Sequence, residues 1–165
     1  MVGGLWALSC GYQFVTAGPA PGPGLESIEV RPLENRSTEP GLERILAEAL
    51  VEEFNRRGRL RPIYGVAPGR PNLSLSGVIE DVDVRPSAFS PSGLALEFEI
   101  LVELALDLSS GADGNRLWKG QRMQLIERFL GSAEPGVHLS NKEEAFQRIG
   151  AELAGRVHDA LLQSF

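Results

Sequence analysis

The sequence predicts an α+β fold, a two-layer sandwich in which two helices pack on one face of a four-stranded mixed sheet. Two segments carry apolar residues at helical spacing, and four carry the alternation typical of strands, in the order β-α-β-β-β-α. Each predicted helix has a single apolar stripe, so both helices can cover the same face of the sheet. The 165 residues also have the length expected of one domain.

The first half of the predicted fold is a short strand followed by a regular helix. Ile28 and Val30 alternate with charged residues, and Pro32 ends this strand. Thr38 is the predicted N-cap of the helix, and Gly58 marks its predicted end. The apolar residues between them follow helical spacing: Leu42, Ile45, Leu46, Ala49, Leu50 and Phe54. The crossover to the next strand is long enough for parallel pairing.

Three consecutive strands follow the first helix. They are predicted at 72–84, with a bulge near Gly77, at 94–108 and at 116–129. The connections between them are short, and the segment 85–93 is predicted to be one of these loops. Short connections favour antiparallel pairing, so the three strands are expected to form a meander.

The second helix is predicted from a capping box near the C-terminus. Ser140 is the predicted N-cap, and Glu143 stands three residues later. Apolar residues then recur at helical spacing: Phe146, Ile149, Leu153, Val157, Ala160 and Leu161. Two segments of the chain are predicted to contain no strand: the polar turn at 34–38 and the Pro- and Gly-containing loop at 60–71.

The first fourteen residues are apolar, uncharged, and contain Cys10, which is the single cysteine of the chain. An apolar run followed by a small residue and a cysteine is typical of a bacterial lipoprotein signal, so residues 1–9 are interpreted as a signal remnant. Residues 10–25, rich in Gly and Pro, are predicted to be a flexible tether with lipid attached at Cys10. Residues 26–165 are predicted to form the folded domain. The alternative interpretation of this N-terminal segment is a first strand of the fold or a frayed chain end, rather than a signal remnant.

The composition of the chain argues against several classes of protein. Sixteen basic and 22 acidic residues leave a net charge of −6, and an acidic chain argues against general nucleic-acid binding. A hydrophobic fraction of 42% is typical of a globular protein and too low for a multi-span membrane protein. One cysteine permits neither an intramolecular disulfide nor a thiolate metal cluster.

The sequence contains no motif that predicts catalysis, a metal or a cofactor. His138 falls in a Gly/Pro loop, and His158, beside Asp159, is interpreted as a surface residue of the last helix; neither has metal-ligand spacing. No nucleophile elbow or phosphate loop is present. One acidic row is interpreted as a solvated strand face rather than as catalytic carboxylates: Glu97, Glu99, Glu103 and Asp107. The chain is therefore predicted not to be an enzyme.

Basic residues are the candidate functional groups. One set ends the first helix: Arg56, Arg57, Arg59 and Arg61. Another follows the 116–129 strand and the loop after 72–84: Arg116, Lys119, Arg122, Arg128 and Arg85. One explanation of these basic residues is that they stabilise the C-terminal end of the helix dipole and keep the protein soluble. The functional alternative is an anion site for a phosphorylated ligand, because guanidinium groups bind phosphate in a bidentate manner.

Five segments, taken in order, resemble one protein family. They are residues 10–14, 28–38, 53–58, 73–79 and 117–120, which read CGYQF, IEVRPLENRST, EFNRRG, LSLSGVI and LWKG. The chain resembles the lipopolysaccharide-assembly lipoproteins, the LptE family, over nearly its whole length from Cys10. Gly11, directly after the cysteine, is similar to the outer-membrane sorting signal of such lipoproteins.

The resemblance implies an outer-membrane lipoprotein that faces the periplasm, plugs and supports the LptD β-barrel, and binds lipopolysaccharide during its assembly in the outer leaflet. It also implies that residues 26–165 form one LptE-like domain with two helices on a four-stranded sheet and without catalytic activity. The alternative is a periplasmic lipoprotein adaptor for another outer-membrane barrel or secretion complex.

Phosphates on lipopolysaccharide make the basic residues candidate ligand contacts under this resemblance. The predicted main contact consists of Arg116, Lys119 and Arg122, with Arg85 and Phe89 as a secondary contact. In an antiparallel meander, Arg85 and Arg116 fall at opposite ends of the sheet. They are therefore not expected to form one compact site.

Overall fold

Two helices and six strands make up the protein in a computed structural model that describes residues 26–65, 71–111 and 113–164. In chain order they are β1 (Ser27–Val30), β2 (Glu34–Asn35), α1 (Leu42–Arg57), β3 (Arg61–Tyr64), β4 (Leu73–Phe89), β5 (Ala95–Ser110), β6 (Arg116–Leu130) and α2 (Pro135–Gln163). The predicted α+β class is confirmed. Cys10 and the segments 1–9 and 10–25 lie outside the described residues, so the lipid anchor and the tether stay predictions.

The sheet is mixed, as predicted, but it has six strands rather than four. Its strand order is β3-β1-β4-β5-β6, and β2 pairs with β4. β1 lies parallel to both β3 and β4, whereas β4, β5 and β6 form the expected antiparallel meander. The two additional strands, β2 and β3, lie in segments predicted to be a turn and a loop. β3 contains Pro62, which a strand tolerates best at a sheet edge because proline donates no ladder hydrogen bond.

The core lies between the two helices and one face of the sheet. The alternation of β5 is the clearest example: Ile100, Val102, Leu104, Leu106 and Leu108 are each at most 1% exposed. The residues between them lie on the opposite, uncovered face. Full burial of such a side chain stabilises the fold by about 1.5–3 kcal/mol. Within the described residues, neither helix has the length and apolar character needed to cross a bilayer.

Both predicted helix starts were wrong. α1 begins at Leu42 after Gly41, whose φ of 90° only glycine adopts easily, so Thr38 is not the N-cap. α2 begins at Pro135, five residues before Ser140, so the predicted capping box of Ser140 and Glu143 lies inside the helix. Proline fits the first helical position because its fixed φ suits a helix and its missing N–H would have no partner there.

The predicted loop at 85–93 was also wrong, because β4 continues to Phe89 and the turn is confined to 90–94. Ser90 N donates to Leu94 O over 2.8 Å across this turn. The register irregularities of β4 lie at Ile79/Asp81 and at 86–89, and not at Gly77. Gly77 pairs regularly, and glycine suits this position because a Cβ atom would lie 2.8 Å from the backbone oxygen of Ala105 on the neighbouring strand.

Side chains of α2 cover the free edge of β6. Asn141 Nδ2, Arg148 Nη2 and Arg156 Nη1 donate to backbone carbonyls of this strand. The acceptors are the carbonyls of Leu130, Arg128 and Gln124, at 2.8, 3.0 and 3.2 Å. An uncovered strand edge is a template for pairing with other chains, so these bonds protect the C-terminal half of β6.

Candidate functional site

The two ends of the sheet differ in chemistry, and we call them the base and the tip. At the base, residue 26 leads into β1, and Asn72 Oδ1 accepts hydrogen bonds from the backbone N–H groups of Glu26 and Ser27 at 2.8 and 2.9 Å. Asn72 O in turn accepts from Gly111 N, next to the end of β5. The tip is the end formed by the β4–β5 turn, the end of β6 and the start of α2.

Arg116, Lys119 and Arg122, which we call the β6 cationic patch, occupy the first half of β6. Arg116 pairs with Ser109 of β5, and Arg122 pairs with Ala105. These β5 positions alternate with buried leucines, so both arginines lie on the sheet face away from the helices. All three cations are exposed, and within residues 26–65, 71–111 and 113–164 none has a side-chain hydrogen bond or ion pair. The structure thus brings the predicted main contact residues together on one strand.

Arg85, the predicted secondary contact, lies near the tip and is already engaged. Its Nη2 atom donates to Glu99 Oε1 at 2.7 Å, while Arg128 Nη2 lies 3.3 Å from Glu99 Oε2. Hydrogen bonds from Arg85 and Arg128 hold the pKa of Glu99 below its ordinary value. Glu99 and Ser109, the β5 partners of Arg85 and Arg116, are ten residues apart, or about 34 Å. Arg85 and Arg116 therefore lie at opposite ends, as expected from the meander.

Phe89 belongs to an exposed apolar surface that we call the apolar tip. Of the nine large hydrophobic residues exposed in the described part of the chain, six lie at this end of the molecule: Phe89, Leu94, Leu96, Leu130, Val137 and Leu139. Leu94 and Leu130 are 68% and 67% exposed. Apolar groups grouped in this way mark interaction surfaces. Sequence reasoning found only Phe89, although Leu94 beside Gly93 and Leu130 beside Gly131, at the ends of predicted strands, were a visible signal.

One of the arginines that end α1, Arg57, links the two helices. Arg56 and Arg57 both bind Glu53 one turn earlier on α1. Arg57 Nη1 also lies 2.6 Å from Asp159 Oδ1 and 3.1 Å from His158 Nδ1, both on α2. These contacts explain the charges of Arg56 and Arg57 without a ligand, so this cluster is a weaker candidate site than the β6 cationic patch.

The interpretation of His158 as a surface residue was wrong. The residue is only 3% exposed, and its ring lies 6.0 Å from that of Phe54. Burial, followed by the neighbouring Arg57 charge, lowers the pKa of His158. The neutral ring can accept the hydrogen bond from Arg57, whereas a protonated ring would offer a second cation to the guanidinium.

Acid is therefore expected to weaken the contact between the helices. The pKa of His158 is lower in the folded chain than in the unfolded chain, where it is about 6.5. The neutral ring therefore stabilises the fold fully above the unfolded pKa, and this stabilisation is lost as pH falls from there through the folded pKa. Asp159 and Glu53 stay ionised in this window because arginine hydrogen bonds, opposing burial, lower the pKa of each. Thermal unfolding should show a Tm that falls between pH 7 and 5, and His158→Asn, which retains an acceptor, should flatten that slope. An unchanged slope in the variant would contradict this role.

Other charged groups of the described residues line an open groove or bind neighbouring strands. A hollow of about 460 Å³ between α1 and α2 is an open groove whose rim includes Glu48, Glu52 and Glu143. In the predicted acidic row, Glu103 Oε1 accepts from Gln124 Nε2 at 2.7 Å, and Asp107 Oδ1 accepts from Gly120 N at 3.0 Å. These carboxylates interact with β6 across the uncovered sheet face. No three metal-ligating side chains converge within the described ranges.

Comparisons with known proteins agree with this architecture. A family model described as LptE, lipopolysaccharide-assembly, matches residues 25–161. The solved structure of rare lipoprotein B from Shewanella oneidensis is 12% identical, covers 82% of this chain and 95% of its own, and superposes with a TM-score of 0.50. Lipoprotein B from Nitrosomonas europaea is 14% identical, covers 81% of each chain, and has a TM-score of 0.53.

At these identities the solved structures support the fold alone, whereas the family model covers most of the chain. None of the curated proteins compared with the sequence matches it. The match over residues 25–161, together with the two-helix, mixed-sheet fold, decides the assignment. The chain belongs to the LptE family of lipopolysaccharide-assembly lipoproteins, and it is not an enzyme.

Proposed function

We propose that this protein is anchored to the outer membrane by lipid on Cys10, faces the periplasm, plugs and supports an LptD-type β-barrel, and binds lipopolysaccharide during assembly. The family match over residues 25–161 supports the overall role. The lone cysteine, placed between an apolar leader and a Gly/Pro-rich segment, supports the anchor.

The observation that carries lipopolysaccharide binding is the β6 cationic patch in an otherwise acidic chain. Arg116, Lys119 and Arg122 are exposed and have no side-chain partner among the described residues, so they can bind phosphate without breaking an ion pair. A charge-assisted hydrogen bond of this kind contributes about 1.5–3 kcal/mol. Arg85 and Phe89 form the secondary contact. Phe89, in the apolar tip, offers surface to acyl chains rather than to phosphates.

Two surfaces suit the interior of a barrel. The sheet face away from the helices is polar, with ion pairs such as Arg85–Glu99 and the Gln124–Glu103 hydrogen bond. Transmembrane barrels have polar interiors, so the ion-paired part of this face can lie against the barrel wall, while Arg116 and Arg122 on the same face stay available to phosphate. The apolar tip provides the complementary hydrophobic contact.

Copurification tests the barrel partner. The chain with a complete leader and a C-terminal tag, extracted from outer membranes, is expected to recover one large β-barrel protein. Leu94→Asp with Leu130→Asp should reduce that recovery at least tenfold, because a carboxylate placed in an apolar contact loses its hydration. Tyr64→Asp is the matched control, since Tyr64 is 53% exposed on β3, far from the apolar tip.

The outcome separates the two candidate functions. Recovery of a different barrel or of secretion components would contradict an LptD-type partner. It would support the alternative function, a periplasmic lipoprotein adaptor for another complex. Recovery of no barrel with the unaltered chain would contradict the plug role.

A further inference from the structure

The β6 cationic patch lies where β6 departs from regular pairing with β5. The register of the two strands shifts between Leu106 and Leu108 of β5. Asp107, the residue between those two leucines, therefore stands opposite two residues of β6, Lys119 and Gly120. Two residues opposite one on the partner strand form a β-bulge. Such a bulge changes the face of the sheet on which the side chains beyond it lie.

The bulge decides which face of the sheet carries Lys119. In a regular strand successive side chains alternate between the faces, so Lys119 would lie on the face opposite to Arg122, three residues later. The extra residue reverses this alternation. Trp118 pairs with the buried Leu108 and packs against the core, so the next side chain, Lys119, lies on the uncovered face. All three cations of the patch, including Arg116, thereby share one face.

Two features hold this bulge in place. Gly120 has a φ of 58°, in the left-handed region that glycine adopts without steric cost. Its backbone N–H donates to Asp107 Oδ1 at 3.0 Å. The extra residue of a bulge has no ladder partner of its own, and here a carboxylate supplies a strong acceptor. The Asp107 side chain therefore fixes the backbone directly after Lys119.

The same hydrogen bond distinguishes Asp107 from Glu99 on the same strand. Glu99 accepts hydrogen bonds from the side chains of Arg85 and Arg128, so it occupies those two cations. Asp107 accepts from a backbone N–H instead, and Lys119 has no side-chain partner within the described part of the chain. Asp107 thus organises the patch without pairing with its cation.

We propose that Asp107 is a positioning residue for lipopolysaccharide binding. Its hydrogen bond holds the bulge at Gly120, and the bulge aligns Lys119 with Arg116 and Arg122 along one face. The carboxylate also repels phosphate, because like charges repel each other even in water. These two effects on binding are opposite in sign, so substitution can separate them. The inference rests on lipopolysaccharide binding at the β6 cationic patch, which belongs to the proposed function.

Titration of Asp107→Asn and Asp107→Ala with lipopolysaccharide tests this role. Both variants remove the same charge, but only asparagine keeps an Oδ1 acceptor for the Gly120 N–H. Asp107→Asn should bind lipopolysaccharide at least as tightly as the unaltered chain. Asp107→Ala should bind about fivefold more weakly than Asp107→Asn, because the bulge loses its hydrogen bond. Equal binding by the two variants would overturn the proposal.

Glu43→Gln and Glu43→Ala are the matched control pair. Glu43 Oε2 accepts a hydrogen bond from the N–H of Gly41, another glycine with positive φ, at the start of α1 and away from the patch. This pair removes the same kind of contact, so its two members should bind lipopolysaccharide equally. Thermal unfolding verifies that all four variants are folded.

Gly120→Ala is a second route to the same test, should Asp107→Ala not fold. It leaves every charge in place but strains the bulge, because a side chain disfavours this φ. Lipopolysaccharide binding should weaken. Gly41→Ala introduces the same strain outside the patch and should leave binding unchanged. Undiminished binding by Gly120→Ala would contradict the role of the bulge.

A double-mutant cycle with Lys119→Ala separates positioning from a general structural effect. If Asp107 acts by placing Lys119, Asp107→Ala and Asp107→Asn should bind lipopolysaccharide nearly alike once Lys119 is replaced. A difference that persists in full in the Lys119→Ala background would overturn the positioning role.

Arg116→Glu with Lys119→Glu separates the failure of this inference from the failure of the proposed function. If this charge-reversal variant binds lipopolysaccharide normally, the β6 cationic patch is not the binding site and both fail. If it binds weakly while Asp107→Ala and Asp107→Asn bind alike, the site stands and the positioning role fails.

Discussion

Arg116→Glu with Lys119→Glu is expected to weaken lipopolysaccharide binding at least tenfold while leaving the Tm nearly unchanged. Two phosphate contacts of about 1.5–3 kcal/mol each would be lost, and two repulsive charges would replace them. Stability should hardly respond, because both side chains are exposed and neither has a side-chain partner among the described residues. Titration of the purified chain with lipopolysaccharide, alongside thermal unfolding, measures both quantities.

The control for this variant is Arg36→Glu with Arg44→Glu, which alters net charge equally. Those arginines form exposed ion pairs with Glu34 and Glu48, and such pairs contribute only about 0–1 kcal/mol to stability. Binding should remain close to that of the unaltered chain. If the Arg116/Lys119 variant binds lipopolysaccharide as tightly as the unaltered chain, the β6 cationic patch is not the binding site. The site would then lie at the arginines that end α1, or the chain would have none.

Cys10→Ser, expressed with a complete leader, is expected to convert the protein from a membrane-bound to a soluble periplasmic form. Membrane affinity rises by about 0.8 kcal/mol for each buried CH₂ of an acyl chain, so several chains hold a protein firmly and their removal releases it. Residue 10 is the only cysteine, and hence no second thiol can replace it. Fractionation of cells into membrane and periplasmic extracts measures the change.

The measurement must be made with the barrel partner depleted, because a bound barrel would retain the variant in the membrane. Under that condition, a Cys10→Ser chain that still sediments with outer membranes would contradict lipid attachment. The unaltered chain in the same cells is the control, because lipid on Cys10 would hold it in the membrane without the barrel.

Local periodicity was sufficient to predict that the two helices and the three long strands exist, but not where each begins and ends. The five buried residues of β5 from Ile100 to Leu108 are the alternate residues of an apolar run, and burial of one sheet face requires that spacing. α1 carries the predicted apolar stripe and ends at Gly58, whose φ of 65° suits glycine. Such signals depend only on neighbours in the chain.

Features that depend on distant partners were missed. β2 and β3 are short, and each exists because its backbone pairs with another strand: β2 with β4, and β3 with β1. Their sequences contain turn residues that hide this pairing. The burial of His158 depends on Phe54 and Arg57, which come from a helix about a hundred residues earlier.

For the candidate site, the amino-acid sequence by itself determined the residue types and their order: basic residues along β6, a lone cysteine, and a resemblance to one family. Only the tertiary structure decided which charges are available. Strand register placed Arg85 against Glu99, where it is neutralised, and left Arg116 and Lys119 without partners among the described residues. Register is a long-range property, since it depends on hydrogen bonds between strands and on the burial of one face.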